Sequence, residues 1–236
     1  IMKAFVIIPA KGDSKRLVGK NKRIIAGKTL LEHSIEYAQK STLAGTIIVS
    51  TEDNETKTIA ESYGVRVVGR DKDFMGEREV ADVYVNVLQN DLESYGDSEI
   101  LSEISHVVGI QPDHPDRKTT ADELLEYAVV NKYDDLFTVD SNGTRNGAVR
   151  VIKKQFVESG MISRRVGSYL DNCTNIHSEE DLKLAEINIK NAEIYCYKIL
   201  SIDSYHLDSI MMLASIAGAN KNLDQAKDLL LKAVEI

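Results

Sequence analysis

The sequence predicts an α/β protein with a mostly parallel sheet, followed by a short all-α tail. Short β-branched apolar runs alternate with longer amphipathic stretches over most of the chain, which is typical of βαβ units. The first run, at 3–9, is apolar almost throughout, as a strand buried on both faces requires. From Ser178 onward the pattern is almost entirely helical, so the alternating plan ends there.

The residue pattern assigns the strands, helices and one turn in order along the chain. Helices are indicated by apolar residues at three- and four-residue spacing, as in Leu31, Ile35 and Ala38. The segment 141–147, Ser-Asn-Gly-Thr-Arg-Asn-Gly, predicts a turn because of its glycine and asparagine content. We predict strands over 3–9, 46–50, 65–68, 106–111, 135–139 and 148–152, and helices over 30–39, 55–63, 79–92 and 121–131.

Composition excludes several classes of protein. The 236 residues carry 29 basic and 37 acidic side chains, and a net charge of −8 disfavours a general nucleic-acid binder, which needs a broad basic surface. We expect neither a membrane span nor a secretory signal, because there is no apolar run of about 18 residues and no basic-then-apolar leader. Cys173 and Cys196 fit no disulfide framework or metal clip, which predicts a reducing cytoplasm.

A basic loop follows the first strand. Residues 11–23 hold six basic side chains and one acidic side chain, a local charge of +5. Open α/β sheets bind ligands beyond the carboxyl ends of their strands, where a glycine-bearing loop lets backbone N–H groups approach an anion. The alternative is a solvated run of charge, but the position favours binding of a polyphosphate. The loop has neither a Gly-x-Gly-x-x-Gly nor a Walker pattern, which disfavours dinucleotide oxidoreductases and P-loop ATPases.

The segment 8–31, Ile-Pro-Ala-Lys-Gly-Asp-Ser-Lys-Arg-Leu-Val-Gly-Lys-Asn and onward, resembles the opening of the cytidylyltransferases that activate acidic sugars. The resemblance continues in order at 49–53, 111–117, 146–148 and 176–182. Lys20-Asn21 is more similar to the acylneuraminate branch than to the 3-deoxy-manno-octulosonate branch. This resemblance implies a Rossmann-like sheet of the nucleotide-diphospho-sugar transferase type. It also implies transfer of CMP from CTP to a nonulosonic, sialic-acid-like sugar acid in surface-glycan synthesis, with release of pyrophosphate and assistance from Mg²⁺.

The resemblance assigns roles position by position. It implies that the nucleotide and its phosphates are bound by Lys11, Gly12, Ser14, Arg16, Lys20, Asn21 and Glu77. It places Gln111, Arg117 and Asn146 on the side of the sugar acid. The candidate catalytic residues are Lys20, Arg16 and His177. The family's base-binding stretch reads Glu-Arg-Glu-Val-Ala over 77–81, a departure that leaves the base specificity open.

The family's metal motif also departs from its pattern. Asp-Ile-Asp of the acylneuraminate branch reads Asn175-Ile176-His177. Asp113 falls where the octulosonate branch has a metal carboxylate, so we expect Asp113 to hold Mg²⁺ together with water and phosphate oxygens. His177 is either a weak metal ligand, which would favour Mn²⁺, or a general base toward the sugar hydroxyl. The alternative is that His177 merely precedes a helix N-cap at Ser178.

The segment 141–145 is short where relatives usually carry a long insert that dimerises and closes over the sugar. We therefore expect an open cleft and leave both the acceptor and the homodimer open.

A repeat occupies the C-terminal segment. Ala192 and Ala226 lie 34 residues apart, and so do Ile199 and Ala233, in a pattern that resembles a tetratricopeptide repeat. We therefore divide the chain into a nucleotidyltransferase domain over 1–187 and a helical segment over 188–236, which implies a protein partner for the tail. The alternative is a pair of amphipathic helices that pack on the main domain.

Two other functions remain open at this point. One is a degenerate nucleotidyltransferase fold that serves as a scaffold, with the tail recruiting a partner. The other is a nucleotidyltransferase for another nucleotide and acceptor.

Overall fold

The computed structural model describes residues 3–12, 14, 16–70, 80–91, 104–219 and 223–234. The strands in chain order are β1 (Lys3–Pro9), β2 (Ile24–Ile25), β3 (Lys28–Thr29), β4 (Ala44–Ser50), β5 (Arg66–Val68), β6 (Ile104–Ile110), β7 (Asp135–Val139), β8 (Arg145–Lys153) and β9 (Val166–Leu170). The α-helices are α1 (Leu30–Gln39), α2 (Asn54–Ser62), α3 (Val80–Asp91), α4 (Ala121–Val130), α5 (Lys154–Ser159), α6 (Glu179–Ile202), α7 (Leu207–Ala219) and α8 (Leu223–Val234).

Seven strands form one sheet in the order β5-β4-β1-β6-β8-β7-β9. All neighbours pair in parallel except β8, which is antiparallel to both β6 and β7. The predicted mostly parallel α/β sheet is therefore confirmed. Because β8 runs the other way, its first residues lie at the same edge as the carboxyl ends of the parallel strands. This edge carries the candidate site.

Both faces of the sheet are covered by helices. Ala4, Val6 and Ile8 of β1 pack on one face in a core that includes side chains of α1, α2 and α4. Phe5 and Ile7 point to the other face, in a core shared with α3 and α5. Each of these five side chains is at most 1% exposed, as the apolar run of the first strand predicted.

The predicted elements are found with small shifts at their ends, but several elements were missed. No element was assigned to residues 153–177, where the structure has α5 and β9. β9 is a short edge strand with exposed residues at both ends, so it lacks the apolar run that marks the buried strands. The β2–β3 hairpin is also new, and β8 begins at Arg145, within the predicted turn.

A tight turn joins β7 to β8. The Asp140 carboxylate accepts hydrogen bonds from the backbone N–H groups of Asn142 and Thr144, both at 2.9 Å. The Thr144 carbonyl accepts a hydrogen bond from the Asp140 backbone N–H at 2.9 Å. The predicted turn is therefore present, and β8 begins directly after it at Arg145.

The helical tail that the sequence predicted is present, and its described residues form the three helices α6, α7 and α8. α6 is continuous through the predicted domain boundary between 187 and 188, so the chain passes from the sheet domain into the tail within one helix. Leu182 and Ala185 in its first half pack with Leu17, Ile25 and Ile176. α7 contacts α6, and α8 packs on α7. Within the described segments, no helix has the length and apolarity that crossing a membrane would require.

Candidate active site

Four segments at the carboxyl edge of the sheet enclose a small basic cavity of about 200 Å³. They are the end of β1 with its basic loop, the residues after β5, the start of α3 and the loop after β6. We call this space the basic cavity. It is lined by Pro9, Lys11, Ser14, Lys20, Asn21, Arg70, Val80, Val83, Gln111, Pro112 and Asp113. Six predicted site residues therefore converge there, namely Lys11, Ser14, Lys20, Asn21, Gln111 and Asp113.

Lys20 and Asp113 form the central ion pair of the basic cavity. The Lys20 Nζ atom lies 2.6 Å from Asp113 Oδ2, and the two side chains are only 17% and 13% exposed. On the other side, His114 Nδ1 lies 3.0 Å from Asp113 Oδ1. Burial opposes ionisation of Asp113, yet His114 and Lys20 hold its pKa well below the usual value. Asp113 is therefore a carboxylate at neutral pH.

Two hydrogen bonds fix the shape of the basic loop. The buried Asn21 side chain donates from Nδ2 to the Lys11 carbonyl at 2.7 Å, which ties the two ends of the loop together. The Gly12 backbone N–H donates to Glu52 Oε1 at 2.7 Å. A Cβ at Gly12 would lie 2.7 Å from Asp53 Cβ, so only glycine fits this close approach.

A second cavity of about 210 Å³ lies next to the basic cavity and shares Val80 and Gln111 with it. We call it the arginine cavity. Arg145 and Arg150 of β8 line it, and the Arg145 guanidinium carbon stacks 4.6 Å from the Phe137 ring centroid. Arg150 is paired with Asp135 through bonds of 2.8 and 2.6 Å. The two cavities thus form one cleft with basic groups at both ends.

Gln111 and Gly147 meet where the two cavities join. Gly147 has a φ of +78°, and a Cβ there would lie 3.0 Å from Gln111 Nε2. Both the positive φ and the close contact call for glycine. The Gln111 backbone N–H donates to the Ala148 carbonyl at 3.2 Å, so the start of β8 holds this part of the loop.

Arg16 and His177 line neither of these cavities. They contact each other instead, with Arg16 Nη1 3.2 Å from His177 Nδ1. Partial burial, together with the charges of Lys20 and Arg16, lowers the pKa of His177. A neutral imidazole that accepts from Arg16 at Nδ1 carries its proton on Nε2, so this arrangement presents a hydrogen-bond donor. The predicted N-cap is also present, since Ser178 Oγ accepts from the Asp181 N–H at 3.2 Å.

Arg117 and Asn146 make internal contacts instead of lining the cleft cavities. Arg117 donates through Nη2 to the Gln111 backbone carbonyl and stacks 4.9 Å from the Tyr37 ring centroid. Asn146 Oδ1 accepts from Thr138 Oγ1 at 2.6 Å, and its Nδ2 donates to the Asp171 carbonyl at 2.7 Å. Both residues support the loops that carry the cleft. Glu77 lies outside the described residues.

The described residues of the basic cavity offer few ligands for a divalent cation. Among the described residues, Asp113 is the only acidic residue that lines the basic cavity, and Lys20 occupies one of its oxygens. Among the described residues, no group of three or more His, Cys, Asp or Glu side chains could hold a metal. Mg²⁺ usually keeps several waters and takes one or two protein carboxylates with substrate phosphates. A single carboxylate, Asp113, suits that mode of binding.

Three basic residues of the cleft were not predicted. Arg70 lies two residues after β5. A basic residue beyond the carboxyl end of a parallel strand could have been predicted to bind an anionic ligand. Arg145 and Arg150 lie on the antiparallel strand β8, where Arg150 pairs in register with Gly109 of β6. The short glycine-bearing turn before β8 predicts a hairpin with β7. No sequence signal places β8 between β6 and β7, so the approach of these two residues to the cleft is seen only in the sheet topology.

Comparison with known proteins decides the family. A family model described as cytidylyltransferase matches residues 5–203. The chain belongs to the cytidylyltransferase family.

Curated relatives of this cytidylyltransferase include a CMP-N,N'-diacetyllegionaminic acid synthase from Legionella pneumophila, 42% identical over 66 residues that cover 28% of each chain. A pseudaminic acid cytidylyltransferase from Campylobacter jejuni is 35% identical over 95 residues, or 39% of each chain. The matches to these relatives therefore span well under half of their length. A 3-deoxy-manno-octulosonate cytidylyltransferase from Haemophilus influenzae is 26% identical over 215 residues, which cover 85% of this chain and 77% of that one.

Solved structures with the same fold include CMP:2-keto-3-deoxy-manno-octonic acid synthetase complexed with CTP. It superposes with a TM-score of 0.61 at 13% identity, over 80% of this chain and 99% of that chain. A cytidylyltransferase from Leptospira borgpetersenii superposes with a TM-score of 0.59 at 18% identity, over 79% of this chain and 86% of that one. At these identities the likeness concerns the fold alone.

Proposed function

We propose that this cytidylyltransferase transfers CMP from CTP to an acidic sugar, with release of pyrophosphate, in surface-glycan synthesis in the cytoplasm. The observation that carries the proposal is one cleft with cationic groups at both ends. Lys11, Lys20 and Arg70 line the basic cavity, and Arg145 and Arg150 line the arginine cavity. A triphosphate and a sugar carboxylate are both anionic, and they must lie side by side for the transfer.

The basic cavity suits the triphosphate of CTP. Charge builds up on the leaving pyrophosphate as the bond to the α-phosphorus breaks, and nearby cations stabilise that charge. Lys20 already lies in the cavity on Asp113, so its ammonium needs only a local turn to reach the phosphates. Arg70 is largely buried, and its Nε donates to Ser50 Oγ at 3.4 Å, which orients its guanidinium.

The arginine cavity suits the sugar acid. A guanidinium can bind a carboxylate through two parallel hydrogen bonds. The Arg145 guanidinium lies over the Phe137 ring at this cavity. Gln111 lies between the two cavities, where its amide can contact both substrates. The acceptor hydroxyl would attack the α-phosphorus in line with the departing pyrophosphate. The imidazole of His177 and the guanidinium of Arg16 lie together near the basic loop, from which they would orient phosphate oxygens.

A divalent cation is part of the proposal, with Mg²⁺ as the first choice and Mn²⁺ as the alternative. Asp113 would be its protein ligand, and the ion would offset negative charge on the phosphates. Lys20 would then leave Asp113 and turn to the phosphates. Calorimetric titration of CTP with and without Mg²⁺ tests this step. Binding strengthened by Mg²⁺ in the wild type but not in Asp113→Asn supports it, and equal binding with and without the ion contradicts it.

The reaction is tested by pyrophosphate release from CTP in the presence of Mg²⁺ or Mn²⁺. The acceptors are 3-deoxy-manno-octulosonate, pseudaminic acid and N,N'-diacetyllegionaminic acid. We expect release with at least one acceptor, its loss in Lys20→Met, and its retention in Lys57→Met, which changes a lysine of α2 outside the cleft. No release with any acceptor, or equal activity in Lys20→Met, would show the proposal to be wrong. Thermal shifts with the four nucleoside triphosphates test the base specificity in the same samples.

A second candidate is a scaffold that retains the fold and binds a protein partner through its tail. Two observations favour it. Asn175 and His177 stand where relatives carry metal carboxylates, and the tail exposes large apolar side chains such as Ile194, Tyr195 and Leu231. A scaffold would show no metal-enhanced CTP binding and no pyrophosphate release, whereas the transferase shows both. The same two measurements therefore separate the candidates.

A further inference from the structure

A third cavity, of about 270 Å³, lies between the sheet domain and the helical tail. Of the residues that the structure describes, none lines both this cavity and the basic cavity or the arginine cavity. We call it the tail cavity. Its walls come from α1, from the loop at 115–118, and from α6 and α7. The tail is therefore required to close it.

The tail cavity carries an excess of positive charge. Four basic and two acidic residues line it, namely Lys28, Lys40, Arg117, Lys118, Glu36 and Asp116. Both acids are already engaged, since Lys28 pairs with Glu36. Asp116 accepts from the Thr174 N–H, the Thr174 hydroxyl and Asn188 Nδ2, each at 2.8 Å. In a chain of net charge −8, this leaves Lys40, Arg117 and Lys118 as a local group of cations.

Arg117 is the central group of this cavity. Its guanidinium contacts Ser34 Oγ at 3.4 and 3.5 Å and the Tyr37 ring, and no carboxylate of the described residues forms an ion pair with it. Its Nε is buried and has no hydrogen-bond partner among the described residues. Burial lowers the pKa of Arg117, although the charges of Asp171 and Asp113 act against this shift. Buried charges in proteins are usually paired, so a buried guanidinium that lines a cavity without an ion pair favours an anionic occupant of that cavity.

The wall formed by the tail is mainly apolar. Ile189 and Ala192 of α6 and Met212 and Ile216 of α7 line it. Pockets that combine an apolar wall with a few convergent charged groups are typical of small-molecule sites. We propose that the tail cavity binds a small organic anion, with its carboxylate or phosphate group on Arg117 and Lys40 and its apolar body against α6 and α7. Arg117 also donates to the Gln111 carbonyl, so the occupant would contact a residue that supports the cleft.

Benzoate and phenyl phosphate are suitable probes because each joins an anionic group to an apolar ring, and benzamide is the neutral control. Calorimetry on the whole chain without CTP measures their binding, so the result is independent of the transferase proposal. We expect millimolar or tighter binding of at least one anion and much weaker binding of benzamide. Tighter binding of benzoate or of phenyl phosphate identifies the preferred head group.

Four variants locate the binding site of the probe. Ala192→Phe fills the cavity and should abolish binding, and Lys40→Met should weaken binding by about fivefold or more through loss of one charge. Lys57→Met, a matched lysine change on α2, and Arg16→Met, beside the cleft, should leave binding unchanged. Absence of binding by both anions overturns the proposal. The proposal is also overturned if benzamide binds as tightly as the anions, if binding persists in Ala192→Phe and Lys40→Met, or if binding is lost in Arg16→Met.

Discussion

The Lys20 ammonium lies 2.6 Å from the Asp113 carboxylate, although the two residues are 93 positions apart in the chain. This ion pair joins the basic loop after β1 to the loop after β6, and the Ile176 N–H donates to the Asp113 carbonyl at 2.9 Å from the segment before α6. The two loops and this segment are thereby held at one point. The pair joins the two loops, and its lysine lies where the phosphates of CTP would bind.

Removal of one member of this pair should destabilise the protein. Lys20→Met leaves a mostly buried carboxylate without its lysine partner, so we expect the free energy of unfolding to fall by about 2–4 kcal/mol. The double variant Lys20→Met/Asp113→Asn should be less destabilised than the sum of the two single variants, because it leaves no unpaired charge. Urea unfolding of the four proteins measures this coupling. Strict additivity would mean that the pair contributes no interaction energy.

The free energy of unfolding should also fall at low pH. The pKa of Asp113 is depressed in the folded chain and has its usual value of 3.8 in the unfolded chain, so the unfolded state binds this proton first. The contribution of Asp113 is therefore complete above about pH 4 and is lost as the pH falls further, toward the folded pKa. Urea unfolding from pH 7 to pH 3 should show a decline at the acid end. Asp113→Asn should show a shallower decline, and an unchanged slope would contradict the prediction.

Gly147 and Gly143 offer a matched comparison. Both have a positive φ, +78° and +75°, but a Cβ at Gly147 would lie 3.0 Å from Gln111 Nε2, whereas a Cβ at Gly143 would face open space. Alanine at either position should lower the free energy of unfolding by about 1–2 kcal/mol through backbone strain. Only Gly147→Ala should also displace Gln111 and raise the KM of the transferase reaction. Equal kinetic effects in both variants would exclude a role for this contact.

Substitution of Arg145 should weaken binding of the acceptor sugar and leave binding of the nucleotide unchanged. Arg145→Met keeps an apolar side chain over Phe137 but removes the guanidinium, so the sugar carboxylate loses a charge-assisted hydrogen bond. We expect the KM of the sugar acid to rise by about tenfold or more, with little change in the KM of CTP. Steady-state kinetics with each substrate varied in turn measures both constants. A rise confined to CTP would place the acceptor elsewhere.

Residue patterns within short segments were sufficient to predict much of the fold and part of the candidate site. The apolar run at 3–9 identified β1 as a doubly buried strand, and the basic loop after it pointed to the phosphate end of the cleft. Arg117 shows the limit of this reasoning. Its position in a motif placed it beside the sugar acid, but its side chain points toward Tyr37 and the tail cavity. The direction of a side chain in a loop depends on packing that motif spacing does not describe.

The sequence by itself determined the alternating α/β plan, the charge of the loop after β1 and the membership of the family, because these depend on residue types at short and regular spacing. Only the tertiary structure decided that β8 lies between β6 and β7 and carries Arg145 and Arg150 to the cleft, that Lys20 pairs with Asp113, and that α6 and α7 close a separate cavity over Arg117. Each of these features joins residues distant in the chain, and such contacts form only when whole elements pack against one another.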